Sequence, residues 1–235
     1  MEQLLSILQE EKDKQTPQGV YEWLQIITAF HSCRIEGNAT SYQDARFLFL
    51  HRNERDWENS YDHTELIEHF QLFDAMLDSI GKPLTPDMIR DYHVVQRDDT
   101  EDYEYKNNAK PGEYRQTDGK EVGCPAVDIP GEMEQLIAQF HKSMRAKSMT
   151  LSDIAQFHLQ FERIHPFPDD NGSIGRILIL RQCLESSLAP AVPGSDTRHA
   201  YYAAFDAEDP SAALANYLRK EQEVYGRMLT WLMCR

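Results

Sequence analysis

At 235 residues with a hydrophobic fraction of 41%, the chain is long enough for one sizeable core or at most two small domains, and no apolar run approaches the length that a bilayer-spanning helix needs. The 39 acidic against 24 basic residues leave a net charge of −15, which argues against nucleic-acid and anionic-membrane partners, both of which ask for a basic surface, and leaves a protein partner as the expectation. Four cysteines at 33, 124, 183 and 234 form no Cys-x-x-Cys pair and read as free thiols, not as a zinc site or disulfide framework. The acidic, amphipathic start does not read as a secretory leader, so cytoplasm is the expected location.

Taken in order, Leu4, Leu5 and Leu8 predict a short N-terminal helix. Thr16 as cap and Pro17 at the first helical position open a second one, with Val20, Leu24, Ile27 and Phe30 at spacings of three and four and Gly37 as its C-terminal cap. Ser32 and Glu36, near its end, are four apart and share a face. A cap at Thr40–Asp44 leads into Phe47, Leu48 and Leu50. A charged loop from His51 to Asp62 then precedes an amphipathic helix through Leu66, Phe70, Phe73 and Leu77, stopped by Gly81. His63 and His69, six apart, share no helix face and make a poor metal pair. Thr85-Pro86-Asp87 caps the next helix, whose His93 reads as structural.

From Arg97 to Lys106 the chain is nearly all acidic and polar. Lys110–Thr117 then meets Asp118-Gly119, a strong short hairpin signal, with Lys120-Glu121-Val122 able to return; the stretch is either a β-hairpin or a solvated connector. Ile129-Pro130 opens a helix through Phe140. Thr150–Asp153 caps another with Ile154, Phe157, His158 and Phe161 inward, and this helix delivers His165. Tyr201 and Tyr202 follow a Pro/Gly loop, and a last helix runs from about Ser211 to Met233.

The loop Ile164-His165-Pro166-Phe167-Pro168-Asp169-Asp170-Asn171-Gly172-Ser173-Ile174-Gly175-Arg176 holds most of the chemistry. Pro166 and Pro168 stiffen it and end the preceding helix. Asn171 and Gly172 tolerate unusual backbone angles, and the unpaired amides of the helix that follows make an anion site. Asp169 is a hard oxygen donor suited to magnesium, Arg176 lies one turn along from Gly172 and Ser173, and His165 can take a proton from an attacking hydroxyl. Any one of these alone would read as a capped helix beside a core histidine; their coincidence points to phosphate chemistry.

This loop resembles the signature of the Fic (Fic/Doc) family, His-Pro-Phe-x-Asp/Glu-Gly-Asn-Gly-Arg-x-x-Arg. His165, Pro166, Phe167, Asp169, Asn171, Gly172 and Arg176 match it. Asp170 stands where the family usually has a small Gly or Ala, and Ser173 where it has the first Arg. The resemblance implies an all-α fold, a single Fic-type helical domain over 1–235 with a small β-hairpin flap at about 110–126 and a catalytic loop at 165–176. Gly112, Tyr114 and Arg115 are similar to the Gly-x-Tyr-Arg that often precedes the flap. Ser32-Cys33-Arg34-Ile35-Glu36-Gly37 resembles the family's inhibitory motif, which makes the helix at about 17–37 an inhibitory helix in which Glu36 engages Arg176 and Ser32 orients it.

The implied activity is transfer of AMP from ATP to a Ser, Thr or Tyr hydroxyl of a target protein. His165 is then the base, and Asp169 the ligand of magnesium, or of manganese in its place. Asn171, Gly172, Ser173 and Arg176 bind phosphates, and Tyr202 walls the base unless it is plain aromatic core. Self-association into a homo-oligomer is left open. Because Asp170 and Ser173 replace a neutral and a cationic position with an acidic and a neutral one, two alternatives stand beside this reading. One is a degenerate domain that binds nucleotide or protein without transfer; the other is transfer from a different nucleotide or phosphodiester donor.

Overall fold

The computed structural model of the chain describes residues 2–51, 61–97, 104, 106–118, 123–146 and 149–233. Its helices are α1 (Glu2–Lys14), α2 (Val20–Glu36), α3 (Tyr42–His51), α4 (Tyr61–Ser79), α5 (Pro86–Gln96), α6 (Ile129–Ala146), α7 (Leu151–Ile164), α8 (Asn171–Glu185), α9 (Arg198–Ala203) and α10 (Pro210–Met233). Among the described residues there is no strand, so the fold class is all-α.

Helix α8 is the centre of the assembly. It packs against α2, α4, α5 and α7, and α10 covers the outer side of α7. All of α8 but Gly172 and Glu185 is buried, which explains why Ile177–Leu180 shows a continuous apolar run and no single stripe: a helix covered on every side needs no polar face. The same burial encloses Arg181, which donates to Tyr92 Oη at 2.6 Å, to Lys82 O at 2.8 Å and to Glu185 Oε1 at 2.7 Å. Held in this way, the two terminal nitrogens of the buried guanidinium tie α8 to α5 and to the turn after α4, while its Nε is left without a partner.

Local signals set several of the helix ends. Thr85 Oγ1 accepts from Met88 N at 3.0 Å, and Thr150 and Asp153 form a reciprocal capping box at the start of α7. Gly37 and Gly81 stop α2 and α4 in the left-handed region, at φ 109° and 89°. The start of α2 departs from the Thr16–Pro17 expectation. The helix begins at Val20: Glu11 of α1 accepts from Tyr21 N at 2.7 Å, so a carboxylate from another helix satisfies one of the first amides, while Glu22 of α2 reaches back to Gln18 N at 2.8 Å.

The expected hairpin cannot be followed here, because Gly119 of its turn and its returning segment, Lys120-Glu121-Val122, lie outside the described residues. The flanking segments send their backbone bonds elsewhere: Arg115 N donates to Pro166 O at 2.9 Å and Cys124 N to Ile164 O at 3.4 Å. Both described flanks therefore lie against the end of α7 and the loop that follows it.

Candidate active site

The loop after α7 is shaped from both ends. His165 caps α7 in the left-handed region (φ 49°, ψ 64°) while its amide still bonds Phe161 O at 2.9 Å, and Pro166 cannot extend the helix. From the other end, Asn171 Oδ1 accepts from Phe167 N at 2.9 Å and Asn171 Nδ2 donates to Phe167 O at 2.8 Å. This latch uses up the Asn171 side chain, so only its backbone faces outward as a ligand group. Phe167 is held in turn by stacking on His93, ring centroids 4.1 Å apart, and His93 Nδ1 accepts from Gly112 N at 2.8 Å. His93 thus joins α5, the segment before 119–122 and the loop.

Arg115 fastens the same region. Its guanidinium donates to His165 O at 2.7 Å, Thr117 O at 2.9 Å and Ile164 O at 3.2 Å, and also to Cys124 O. The carbonyl of His165 is therefore fixed by a buried cation. Burial, helped by the Arg115 charge, lowers the His165 imidazole below its ordinary value, which favours the neutral ring that a base requires. Its Nδ1 is buried without a hydrogen-bond partner, and Glu162 Oε2 lies 4.0 Å away. Burial pushes the Glu162 carboxyl up to about 7. The sequence reading passed over Glu162, although its place one turn before His165 on the same helix face was a usable signal.

A second cluster joins α2 to α8. Arg176, almost wholly buried, donates to Glu36 Oε1 at 2.7 Å, to Ser32 Oγ at 2.9 Å, to Ser32 O at 3.2 Å and to Ser173 Oγ at 3.3 Å. Burial alone would lower the guanidinium, but Glu36 overrides it and holds Arg176 charged. A Cβ on Gly172 would collide with Glu36 Oε1, so the missing side chain is what lets this carboxylate settle over the first turn of α8, where the helix dipole favours negative charge. Ser173 is buried against Arg176 and Ser32 and brings no charge to the loop.

The third cluster surrounds the two aspartates. Asp170 has φ 62°, a left-handed backbone that accounts for a small residue at this place and that Asp tolerates better than most. Its carboxylate pairs with Arg97 at the end of α5, through Nη2–Oδ1 at 2.8 Å and through Nε to Oδ2. Asp169 is more exposed; its Oδ1 accepts from Asp170 N at 2.9 Å and its Oδ2 lies 3.4 Å from Arg97 Nη2. Burial opposes charge on both Arg97 and Asp170, but the pairing keeps Arg97 above its ordinary value.

Two cavities meet here. One, of about 760 Å³, is lined by Glu36, Glu162, His165, Gly172, Arg176 and Tyr202, among others. The other, of about 360 Å³, includes Asp62, Glu65, Arg97 and Asp169 and shares Glu36, His165 and Gly172 with the first. Tyr202 presents a half-exposed ring to the larger cavity, while Tyr201 is buried with its hydroxyl 2.6 Å from His158 Nε2. Among the described residues no group of three or more His, Cys, Asp or Glu side chains could hold a metal ion, and no helix is long and apolar enough to cross a membrane.

Residues 83–183 match the model of the Fic/DOC family. That stretch is similar to the Fic/DOC family, and the fold of the chain is a Fic-type helical one. Its fold is shared with a Fic-domain-containing signalling protein from Bacteroides thetaiotaomicron, with TM-score 0.75 and 18% identity over 97% of this chain and 94% of that one. It is also shared with Fic-1 from C. elegans, with TM-score 0.72 and 18% identity over 97% of this chain and 71% of that one. Curated relatives include proteins called protein adenylyltransferase Fic from Culex quinquefasciatus, 23% identical over 182 residues, and from Aedes aegypti, 24% identical over 181. Each match covers 74% of this chain and 35% of the relative, so the chain spans about a third of the length of these curated relatives.

Proposed function

We propose that this Fic domain is an autoinhibited protein adenylyltransferase. The observation that carries the reading is the Glu36 carboxylate, seated on Arg176 and over Gly172 at the N-terminus of α8, in the same cavity as His165. An anion already occupies the place that a nucleotide phosphate would take, and it is one that helix α2 can withdraw.

With Glu36 displaced, the amides of Gly172 and Ser173 and the Arg176 guanidinium receive phosphate oxygens. Arg176 stays in place because Ser32 still accepts two of its bonds. The nucleoside lies toward Tyr202 in the larger cavity. The hydroxyl oxygen of a Ser, Thr or Tyr on a target protein attacks the α-phosphorus of ATP. The new O–P bond forms as the bridge to the β-phosphate breaks and pyrophosphate leaves, and His165 takes the hydroxyl proton. Arg115 holds the His165 backbone for this step, and orientation of that kind is a large part of any such acceleration.

Asp169 fits a divalent cation. It offers an exposed carboxylate at the edge of the smaller cavity, and magnesium bound chiefly by phosphates needs only one or two protein carboxylates. When bound, the ion would neutralise phosphate charge. Ser173 favours a second reading, a domain that binds nucleotide without transferring it, because the buried hydroxyl leaves the loop without the family's first Arg. The test is label transfer from α-labelled ATP to protein by wild type, Glu36→Gly and Glu36→Gly/His165→Ala. The proposal expects a gain in the first variant that disappears in the second. ATP binding without labelling in any of them establishes the second reading.

A further inference from the structure

We propose that Arg97 is a positioning residue that keeps the phosphate site open by drawing Asp170 away from it. An Asp at the residue before a helix is among the side chains that most readily accept from the first-turn amides, and those are the amides that the function proposed above assigns to phosphate. Asp170 occupies this place before α8, but in a left-handed backbone (φ 62°), and its side chain makes no capping bond. It is turned instead into a pocket where Arg97 grips both of its oxygens. The pair is almost closed to solvent, with side-chain exposures of 10% for Arg97 and 4% for Asp170.

Other interactions leave Arg97 little freedom. Its Nη1 donates to Tyr61 Oη at 3.4 Å, the Tyr61 ring lies 5.9 Å from the guanidinium carbon, and Nη2 also faces Asp169. Arg97 is thus committed to the aspartates and is not itself aimed at a substrate. Without it, Asp170 is a buried carboxylate with no counter-charge, next to the positive end of α8. Turning toward those amides relieves both problems at once, and also blocks the anion site. The acidic residue at 170 is harmless only in the company of Arg97.

The inference rests on the nucleotide-binding reading, so the test is run in a Glu36→Gly background with magnesium and ATP as the probe, followed by isothermal titration calorimetry. Adding Arg97→Gln is expected to weaken ATP binding about 10- to 100-fold, the effect of one unscreened like charge a few ångströms from a phosphate. Adding Asp170→Gly to that variant, which suits the positive φ, is expected to restore affinity to within about threefold of the background. If affinity stays low with both changes, Arg97 is a phosphate ligand and the proposal is overturned; unchanged binding in Arg97→Gln overturns it too. Asp170→Gly with Arg97 intact keeps the test informative should Arg97→Gln fail to fold: binding at least as tight as the background supports the proposal, and weaker binding contradicts it. Absence of ATP binding in Glu36→Gly itself would remove the nucleotide reading and this inference with it.

Discussion

Replacing Glu36 with Gln isolates the contest between a carboxylate and a phosphate for Arg176. The side-chain amide still offers an oxygen to Arg176, so the geometry at 2.7 Å is kept while the charge is lost. A hydrogen bond between charged groups contributes about 1.5 to 3 kcal/mol. Glu36 is 39% exposed, and solvent screening reduces its charge component to about 1 to 2 kcal/mol. Two effects of opposite sign follow. Unfolding free energy falls by that amount, lowering the melting temperature by about 2 to 8 °C in a domain of this size. Affinity for magnesium-ATP rises about 5- to 30-fold, because the ligand no longer displaces an anion. Calorimetric melting and titration of the same preparation measure both. A drop in melting temperature with unchanged ATP affinity would refute the reasoning, since the pair would then be structural and not competitive with phosphate.

Three other outcomes are expected. Asn171→Ala removes both bonds of the loop latch and strands the buried amide and carbonyl of Phe167, costing about 2 to 4 kcal/mol in urea unfolding. Arg115→Met leaves the His165 carbonyl without its donor and takes one of those on the Ile164 carbonyl; hydrogen exchange at 164–168 should accelerate, and transfer should fall at least tenfold without loss of ATP binding.

Acid should also destabilise the fold. Burial lowers His69, His93 and His158 to about 3, so below the unfolded value near 6.5 only the unfolded chain takes up these protons. Stability present at pH 7 is then lost as pH falls, at about 2 kcal/mol per histidine by pH 5. Glu162, raised to about 7, acts in the opposite direction and returns about 2 to 3 kcal/mol over the same window. His31, lowered to about 4, and Asp170, raised to about 7, act in opposite directions and roughly offset each other, so a loss of about 3 to 4 kcal/mol should appear as a lower urea midpoint at pH 5 than at pH 7.

What could be read from the sequence was local. Thr85, Thr150 and Gly81 act within four residues of the helix ends they define, so their roles follow from spacing. The loop at 165–176 was visible for the same reason, since proline, asparagine and glycine shape it from within. The resemblance placed Glu36 opposite Arg176, 140 residues away, which spacing alone could not have done. The Arg97–Asp170 pair spans 73 residues and lies in no family pattern quoted for this chain, so Asp170 looked like a charge facing the phosphates until its buried partner was seen. The start of α2 was misread because Glu11 of another helix supplies the cap. The expected hairpin is left untested, because its returning segment, Lys120-Glu121-Val122, lies outside the described residues.

The central claim is that this loop transfers the nucleotidyl part of ATP, with His165 as base and Glu36 as restraint. Incubating Glu36→Gly protein with ATP labelled at the α- or at the γ-phosphate tests it most directly. The account predicts protein-bound label from the α position only, abolished by His165→Ala. Label arriving from the γ position, or α-label that survives His165→Ala, would contradict it.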